Sequence, residues 1–300
     1  MLGTRGSDLA LAQTKMVEQA LRNAWPDLEV ATEIIRTSGD EGARAAPVVD
    51  RKAGRKGMFT REIEKELLVR RIDVAVHSAK DLPSERSEEL EVRATLARAN
   101  VQDILITKTS DGLMTIPAGG VIGTGSIRRQ RQLGWLRPDL RIADLRGNVP
   151  TRLRKLRENE IWSGIILARA GLERLGLEVA GEILSQDDFV PAGGQGIIAL
   201  QLRRDNQRVQ RLVDAVNDGG TRLCLRAERE FLRLLDGDCD SPVGVHANIA
   251  GPGMVLQAQV FREKENQPER GRVRSAPGTQ DPEALASFLY NSMYGQRQSR

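Results

Sequence analysis

Apolar positions along the chain follow two periods. Short β-branched runs predict strands at LEVATEIIR (28–36), IDVAVHS (72–78), DILITK (103–108), GGVIGTG (119–125), LRIADLRG (140–147) and GIILARAG (164–171). Between them TREIEKELLVRR, SIRRQRQLGWL and NVPTRLRKLREN space their apolar residues three and four apart and predict helices. This alternation fills the first two-thirds of the chain and predicts an α/β architecture on largely parallel sheets, covered on both faces. After residue 218 the pattern changes. TRLCLRAEREFLRLL (221–235) predicts an amphipathic helix, followed by the loop DGDCDSPVG, strand-like VHANIA and MVLQAQVF, and a polar stretch with Pro and Gly. DPEALASFLYNSM predicts a last helix with Asp281 as its N-cap and Pro282 at its first position. These elements form a small α+β unit. No internal repeat or heptad is visible.

Length and composition narrow the function. A chain of 300 residues has room for two or three domains with real cores. Lys and Arg total 45 against 41 Asp and Glu, a net charge of +4, and aromatic residues are only 3%. Little material is left for stacking bases, so no nucleic-acid partner is expected. No stretch has the length of an export signal or a membrane span, which predicts a soluble, cytoplasmic protein without a membrane partner. Cys224 and Cys239 make neither a disulfide framework nor a Cys-x-x-Cys site. His77 and His246 are the only histidines and are not helix-spaced, so no metal site is expected.

Arginine is placed where backbone electrostatics disfavours it. In GTGSIRRQRQL (123–133) two glycines and a serine end a strand, and Arg128, Arg129 and Arg131 occupy the start of a helix. Cations there cost about 0.3–1 kcal/mol each at exposed sites. GTRGSDLALAQ places Arg5 at another helix mouth, RGNVPTRLRKL places Arg146 and Arg152 around Asn148, a candidate N-cap, and Pro150 in the first turn, and LARAGLERLG places Arg169 and Arg174 after a strand. In open α/β sheets ligands sit at the carboxyl ends of strands, where helix N-termini also point. The four junctions are expected to meet in one cleft that takes a ligand with several carboxylates or phosphates.

Two further residues suit chemistry. VAVHSAKDLPSE (74–85) ends a strand in His77 and Ser78 and sets Lys80 and Asp81 in a turn before Pro83. Asp81 reads either as a proton carrier or counter-charge for a cation, or as an ordinary turn former. His77 reads as a satisfied, partly buried histidine. Cys239 lies in the polar loop LLDGDCDSPVG, open to covalent chemistry, whereas Cys224 is flanked by leucines and reads as core.

GTRGSDLALAQ, TSGDEG, KGMFTREIEKEL, VAVHSAKDLP, GTGSIRRQRQL, RGNVPTRLRKL, IILARAGLERLG, PAGGQGI and LLDGDCDSPVG occur in an order that resembles the porphobilinogen deaminase (hydroxymethylbilane synthase) family, from the first residues to about 250. The resemblance implies two periplasmic-binding-protein-like α/β domains with a crossover hinge, plus a small α+β C-terminal domain. It places domain 1 at 1–97 and 197–216, domain 2 at 98–196 and domain 3 at 217–300. It implies a transferase of tetrapyrrole and haem biosynthesis. Four porphobilinogen molecules join head to tail with loss of ammonia, and water releases hydroxymethylbilane. A dipyrromethane cofactor held by a thioether falls on Cys239. The catalytic residues fall on Asp81, the catalytic aspartate, and on its neighbour Lys80. Cofactor contacts fall on Arg5, Ser7, Lys80, Ser126, Arg128, Arg129, Arg146 and Arg152, and substrate contacts on Arg5, Arg146, Arg152, Arg174 and Lys56. The small-molecule substrate is the one partner implied, and the protein is expected to be a monomer. The alternative is a solute-binding or effector-sensing module on the same scaffold, which needs the arginines but neither Asp81 nor Cys239.

This chain departs from the family's usual pattern at Gly125, which removes one possible hydroxyl contact, at Asp238 before the cysteine, and at Gln201, where the family often has glutamate. Its first strand is expected to be almost missing, which weakens the edge of domain 1.

Overall fold

The structure is a computed structural model that describes residues 1–37, 60–85, 87–108, 112–236, 242–262, 265–276, 278 and 281–295. The chain opens with β1 (Leu2–Thr4), α1 (Asp8–Ala24), β2 (Thr32–Ile34), α2 (Arg61–Leu68), β3 (Val74–Ser78), a 3-10 turn (Ala79–Asp81) and β4 (Leu90–Thr95). It continues through β5 (Asp103–Thr107), β6 (Val121–Gly123), α3 (Ile127–Leu136), β7 (Arg141–Ala143), α4 (Val149–Glu158), β8 (Trp162–Ala168), α5 (Arg169–Arg174) and β9 (Glu182–Ile183). Then come β10 (Ile198–Arg203), α6 (Gln207–Asp214), α7 (Gly219–Leu234), β11 (Val243–Ala250), β12 (Gly253–Val260), β13 (Glu269–Arg274) and α8 (Pro282–Tyr294).

The strands form two five-stranded sheets, β2-β1-β3-β10-β4 and β7-β6-β8-β5-β9, and a three-stranded antiparallel sheet β11-β12-β13. The two larger sheets share one plan that no sequence repeat betrays. Three parallel strands are followed by an antiparallel strand that arrives from the other half of the chain, then by an edge strand. The chain therefore crosses between the sheets twice, from Thr95 to Asp103 and from Ile183 to Ile198. The expectation of largely parallel sheets is corrected, because each large sheet has two parallel and two antiparallel pairings. The antiparallel member is in each case the strand supplied by a crossing.

The expected weak edge at the start of the chain is also corrected. β1 has only three residues, yet it pairs with both β2 and β3 in the interior of its sheet, and Leu2 is buried. The run 28–36 shrinks to β2, whose three residues are exposed at the edge. β10 went unpredicted because Gln201 and Arg203 interrupt its apolar run, although all six of its residues are buried. Arg203 Nη1 donates to the carbonyls of Leu67 (2.5 Å) and Ile72 (3.0 Å), which makes its burial tolerable. β13 lies within the stretch read as polar loop. Its Gly271 leaves room for α8, since a Cβ there would sit 2.7 Å from Leu289 and 2.8 Å from the Met293 sulfur.

Local chemistry starts the helices as expected. Asn148 Oδ1 accepts from Thr151 N (2.9 Å), and Asp281 Oδ1 accepts from Ala284 N (3.0 Å) with Pro282 next in line. Apolar clusters cover both faces of each large sheet. One face of the first is packed by Val17, Leu21, Val209 and Val213, and the other by Ile63 and Leu67. The second has Leu133 and Phe189 on one side, and Leu156 and Leu172 on the other. Cys224 is buried with Phe231 and Leu256 in the third core, and burial pushes its thiol up to about 11.

The three sheets are tied together at the second crossing, residues 191–196. Val245 N donates to Pro191 O (2.8 Å), and Gly194 N donates to Glu228 Oε2 (2.7 Å). Glu228, fully buried on α7, also accepts from Ala247 N (2.7 Å) and takes a two-point contact from Arg98 of the first crossing (2.6 and 3.2 Å). One carboxylate thus holds both crossings to the third sheet. Removing its charge leaves Arg98 nearly buried without a counter-ion, a change that costs about 3–5 kcal/mol. Glu228→Gln is expected to lose that much unfolding free energy in urea; a loss under about 1 kcal/mol would show that the junction does not depend on the charge pair.

Candidate functional site

The Lys80–Asp81 turn is fixed from behind. Ala79 N donates to Ile197 O (3.0 Å) and Leu82 N closes the turn on Ala79 O (3.3 Å). Gly194 presses its backbone against this turn at φ +74°, and a Cβ there would lie 2.8 Å from Ala79 C and 2.9 Å from Lys80 N. Only glycine accepts both the dihedral and the approach. A small cavity of about 60 Å³ opens beside the turn, lined by Arg5, Ser7, Gln13, His77, Ser78 and Asp81 among others. Ser7 caps α1, and the buried Gln13 amide donates to Ser78 Oγ (2.8 Å). Among the described residues the Asp81 carboxylate accepts no hydrogen bond.

The opposite wall answers why arginines start α3. Arg128 and Arg129 are 3% and 5% exposed, and each donates to one oxygen of Asp103 at 2.8 Å. Gln195 Nε2 adds a third donor at 2.8 Å. Burial alone would push the Asp103 carboxyl up, but the two guanidiniums overcome it and hold the group well below the usual carboxylate range. The dipole penalty is therefore offset first by an internal anion, which the sequence reading missed. Asp103 opens the apolar run DILIT, a position that signals a buried acid but not its partners. Arg128 Nη1 also reaches Gln132 Oε1 and Val190 O, and Arg129 Nη1 reaches Ile166 O (3.0 Å). Two cations on one anion still leave a positive surplus. Among the described residues the buried Nε atoms of Arg128 and Arg129 have no acceptor. Arg131 points elsewhere and donates to Arg262 O beside the third sheet.

The remaining junctions add cations. Arg152 Nε donates to Gly147 O (2.7 Å), and burial, with Arg129 and Arg146 nearby, pushes its guanidinium down to about 10. Arg146 is half-exposed and paired with Asp144 at 2.9 Å. Arg174 Nη2 donates to Gly196 O (2.7 Å), burial lowers it to about 10, and its Nε has no acceptor among the described residues. Arg169 is spent on Glu173 one turn along α5. Ser126 sits at the N-cap of α3 without a side-chain capping bond. Gly125 admits the next loop, because a Cβ there would meet Leu145 O at 2.7 Å; a serine at this position would displace backbone.

The two walls meet. Lys80 is pushed down to about 8 by burial, and its charged neighbours are Asp81 from its own turn and Arg129, Asp103 and Arg152 from the second sheet. Asp81 in turn acts on Arg152. Three of the four junctions, carrying Arg5, Arg129, Arg146 and Arg152, thus share one region with Lys80 and Asp81, whereas the fourth bonds Arg169 to Glu173 and Arg174 to Gly196 O. Lys56, Asp238 and Cys239 lie outside the described residues. His77 is 5% exposed and bonded to Gln201, as expected of a satisfied histidine. Among the described residues no group of His, Cys, Asp or Glu is placed to hold a metal, and no helix is long and apolar enough to cross a membrane.

Comparison with known proteins gives this geometry a family. Among solved structures, a YaeC-family lipoprotein from Enterococcus faecalis aligns with 79% of this chain and 96% of its own at 11% identity and a TM-score of 0.42, too distant to carry an argument. Sequence relatives are far nearer. A porphobilinogen deaminase from Roseiflexus sp. is 42% identical over 99% of this chain and 96% of its own length. Those of Syntrophobacter fumaroxidans and Syntrophomonas wolfei are 44% and 46% identical over 86% and 83% of this chain, and 83% and 81% of their own lengths. The family model described as porphobilinogen deaminase, dipyromethane cofactor binding domain matches residues 1–211, and that of the C-terminal domain matches 222–295. The cation-lined turn therefore sits in a chain that belongs to the porphobilinogen deaminase family.

Proposed function

We propose that this chain condenses four porphobilinogen molecules head to tail with loss of ammonia and hydrolyses the product to hydroxymethylbilane. One observation carries the assignment of residues: the Lys80–Asp81 turn of the first sheet faces Arg129 and Arg152 of the second. A carboxylate among cations suits a reaction whose substrates are polyanions and whose intermediate is a cation. Every pyrrole ring brings an acetate and a propionate. Arg5, Ser7, Lys80, Ser126, Arg128, Arg129, Arg146 and Arg152 would hold the carboxylates of the cofactor. Arg5, Arg146, Arg152, Arg174 and Lys56 would hold those of the substrate. Each charge-assisted hydrogen bond contributes about 1.5–3 kcal/mol.

The donor set fits a dipyrromethane. Buried guanidinium nitrogens without acceptors and a local surplus of cations call for carboxylates. Attached by a thioether to Cys239, that group supplies when bound the free pyrrole α-carbon that the growing chain extends. Asp81 acts on the substrate. Loss of ammonia from the aminomethyl arm leaves positive charge spread over the methylene carbon and the pyrrole nitrogen. A carboxylate about 4 Å away stabilises it by about 4 kcal/mol at an effective dielectric near 20. The same oxygen can hold and return the pyrrole N–H proton.

The division into 1–97 with 197–216, 98–196 and 217–300 belongs to this reading, supported by the membership of the three sheets. So does a cytoplasmic monomer that acts on a small molecule and binds neither nucleic acid nor membrane. A solute-binding module has no use for Asp81 or Cys239, and the family match weighs against it.

Three measurements test the reading. The intact mass of the purified protein is expected to exceed that of the chain by one dipyrromethane, and Cys239→Ser to lack the increment; an increment that survives the substitution would reject the attachment site. Asp81→Asn should lower kcat by about a thousandfold, the equivalent of about 4 kcal/mol, with the fold intact; near-parental turnover would remove Asp81 from the mechanism. Lys80 binds carboxylates only when protonated, and its proton leaves near pH 8. Assembly of holoenzyme from apoenzyme is therefore expected to slow as pH passes about 8, where the neutral amine no longer holds a cofactor carboxylate, and Lys80→Gln should abolish that limb.

A further inference from the structure

The arginine pair is held from behind by two buried glutamines that belong to different sheets. Gln132 lies one turn along α3 from Arg128, and Gln259 lies on β12 of the third sheet. Both side chains are closed to solvent. Arg128 Nη1 donates to Gln132 Oε1 (2.9 Å) and to Val190 O (2.9 Å). Gln132 Nε2 donates to the same Val190 O (2.9 Å) and to Gln259 Oε1 (2.6 Å). Gln259 Nε2 donates in turn to Asp188 O (3.1 Å). The orientation of both amides follows from chemistry. A guanidinium only donates and a backbone carbonyl only accepts, so Gln132 must turn its oxygen to Arg128 and its nitrogen to Val190. Gln259 must then give its oxygen to that nitrogen and its own nitrogen to Asp188. Reversing either amide would set donor against donor and carbonyl against carbonyl.

We propose that Gln259 is a positioning residue for cofactor binding, which fixes the guanidinium plane of Arg128 through Gln132. Asp103 takes Nη2 of Arg128, and Gln132 with Val190 takes Nη1, which leaves the Nε edge for a ligand carboxylate. Both hydrogens of Gln132 Nε2 are committed, one of them to the third sheet. Without the Gln259 oxygen that hydrogen loses its partner in a site closed to water. An amide that turns to regain a bond takes its oxygen away from Arg128. Other contacts along the same seam lie at its exposed rim. Arg131 donates to Arg262 O, and Arg270 donates to Asp187 O with its guanidinium over the Trp135 ring at 5.4 Å. The glutamine pair instead runs inward to the binding wall. Cys239 lies in the sequence between α7 and β11, so the unit that carries the attachment residue also sets an arginine that receives the attached group. This link to the cofactor rests on the reaction proposed above, whereas the amide network does not.

The gain in intact mass when full-length apoenzyme is incubated with porphobilinogen reads cofactor assembly directly. Gln259→Leu is expected to slow that gain about tenfold, the scale on which small displacements of a binding group act. KM for porphobilinogen of the assembled holoenzyme should move less than about twofold, because the substrate carboxylates are assigned to residues other than Arg128. Gln132→Leu should slow assembly at least as much, and the double variant no more than Gln132→Leu alone, since Gln259 acts through Gln132. A merely structural part would produce neither the split between assembly and KM nor this lack of additivity. Assembly within about twofold of the parent, a double variant slower than Gln132→Leu, or a KM that rises as much as assembly slows overturns the positioning role. If Gln259→Leu does not fold, Gln259→Asn, which draws the amide back by one methylene, is read in the same way. A parent protein that gains no mass removes the functional reading. The amide pair is then judged by urea unfolding, where the losses of the two single variants should fail to add in the double variant and additive losses overturn it.

Discussion

Two guanidiniums share one buried carboxylate at the base of the second sheet, and the binding wall depends on that arrangement. Arginines that begin a helix, inside a protein, would be expelled by dipole and desolvation alike. Asp103 makes them stable by accepting from Arg128, Arg129 and Gln195. Its two oxygens fix the planes of both guanidinium forks before any ligand arrives. One negative charge against two positive charges leaves the wall electropositive by construction. A fully neutralised cluster would be more stable and would attract nothing.

Positioning passes through backbone as much as through charge. Both chain crossings lie where the large sheets and the third sheet meet, and the 191–196 segment touches all of them. Gly194 is the point of closest approach, pressed on the peptide that carries Lys80. Gln195 next to it bonds to Asp103, and Gly196 accepts from Arg174. Three consecutive residues thus connect the acidic turn, the arginine pair and a further cation. Any swing of one sheet against the other must act on this segment first, which couples domain geometry to the distance between Asp81 and Arg152.

Local signals were legible in the sequence and distant pairings were not. Asn148 and Asp281 start helices through bonds to residues three positions away, so their caps could be read directly. The strands DILIT and VAVHS are short apolar runs that declare themselves. β10 does not, because its buried Gln201 and Arg203 are satisfied by residues from α2 and from around β3, far off in the chain. The acid beneath the arginines was missed for the same reason: Asp103 precedes Arg128 by 25 residues. Gly125 was read as a lost hydroxyl, while its environment shows a backbone approach that a side chain would block. The region shared by Arg5, Arg129 and Arg152 was legible because junctions of the same type repeat one anomaly, although the fourth junction, at Arg169 and Arg174, bonds to Glu173 and Gly196 instead.

The carboxylates around the site divide by their partners. Asp103 is held by two arginines, Glu228 by Arg98, Asp144 by Arg146, and Glu64 takes the Gln201 amide. Asp81 stands apart from that pattern in accepting no hydrogen bond among the described residues. A carboxylate already bonded to arginine offers little to a passing cation, because its lone pairs and much of its field are spent. The one left unbonded keeps both. Its cost is borne by the surrounding cations at longer range. Selectivity for a transient cation in a site built for anions then follows from an acid that, among the described residues, accepts no hydrogen bond beside acids that do.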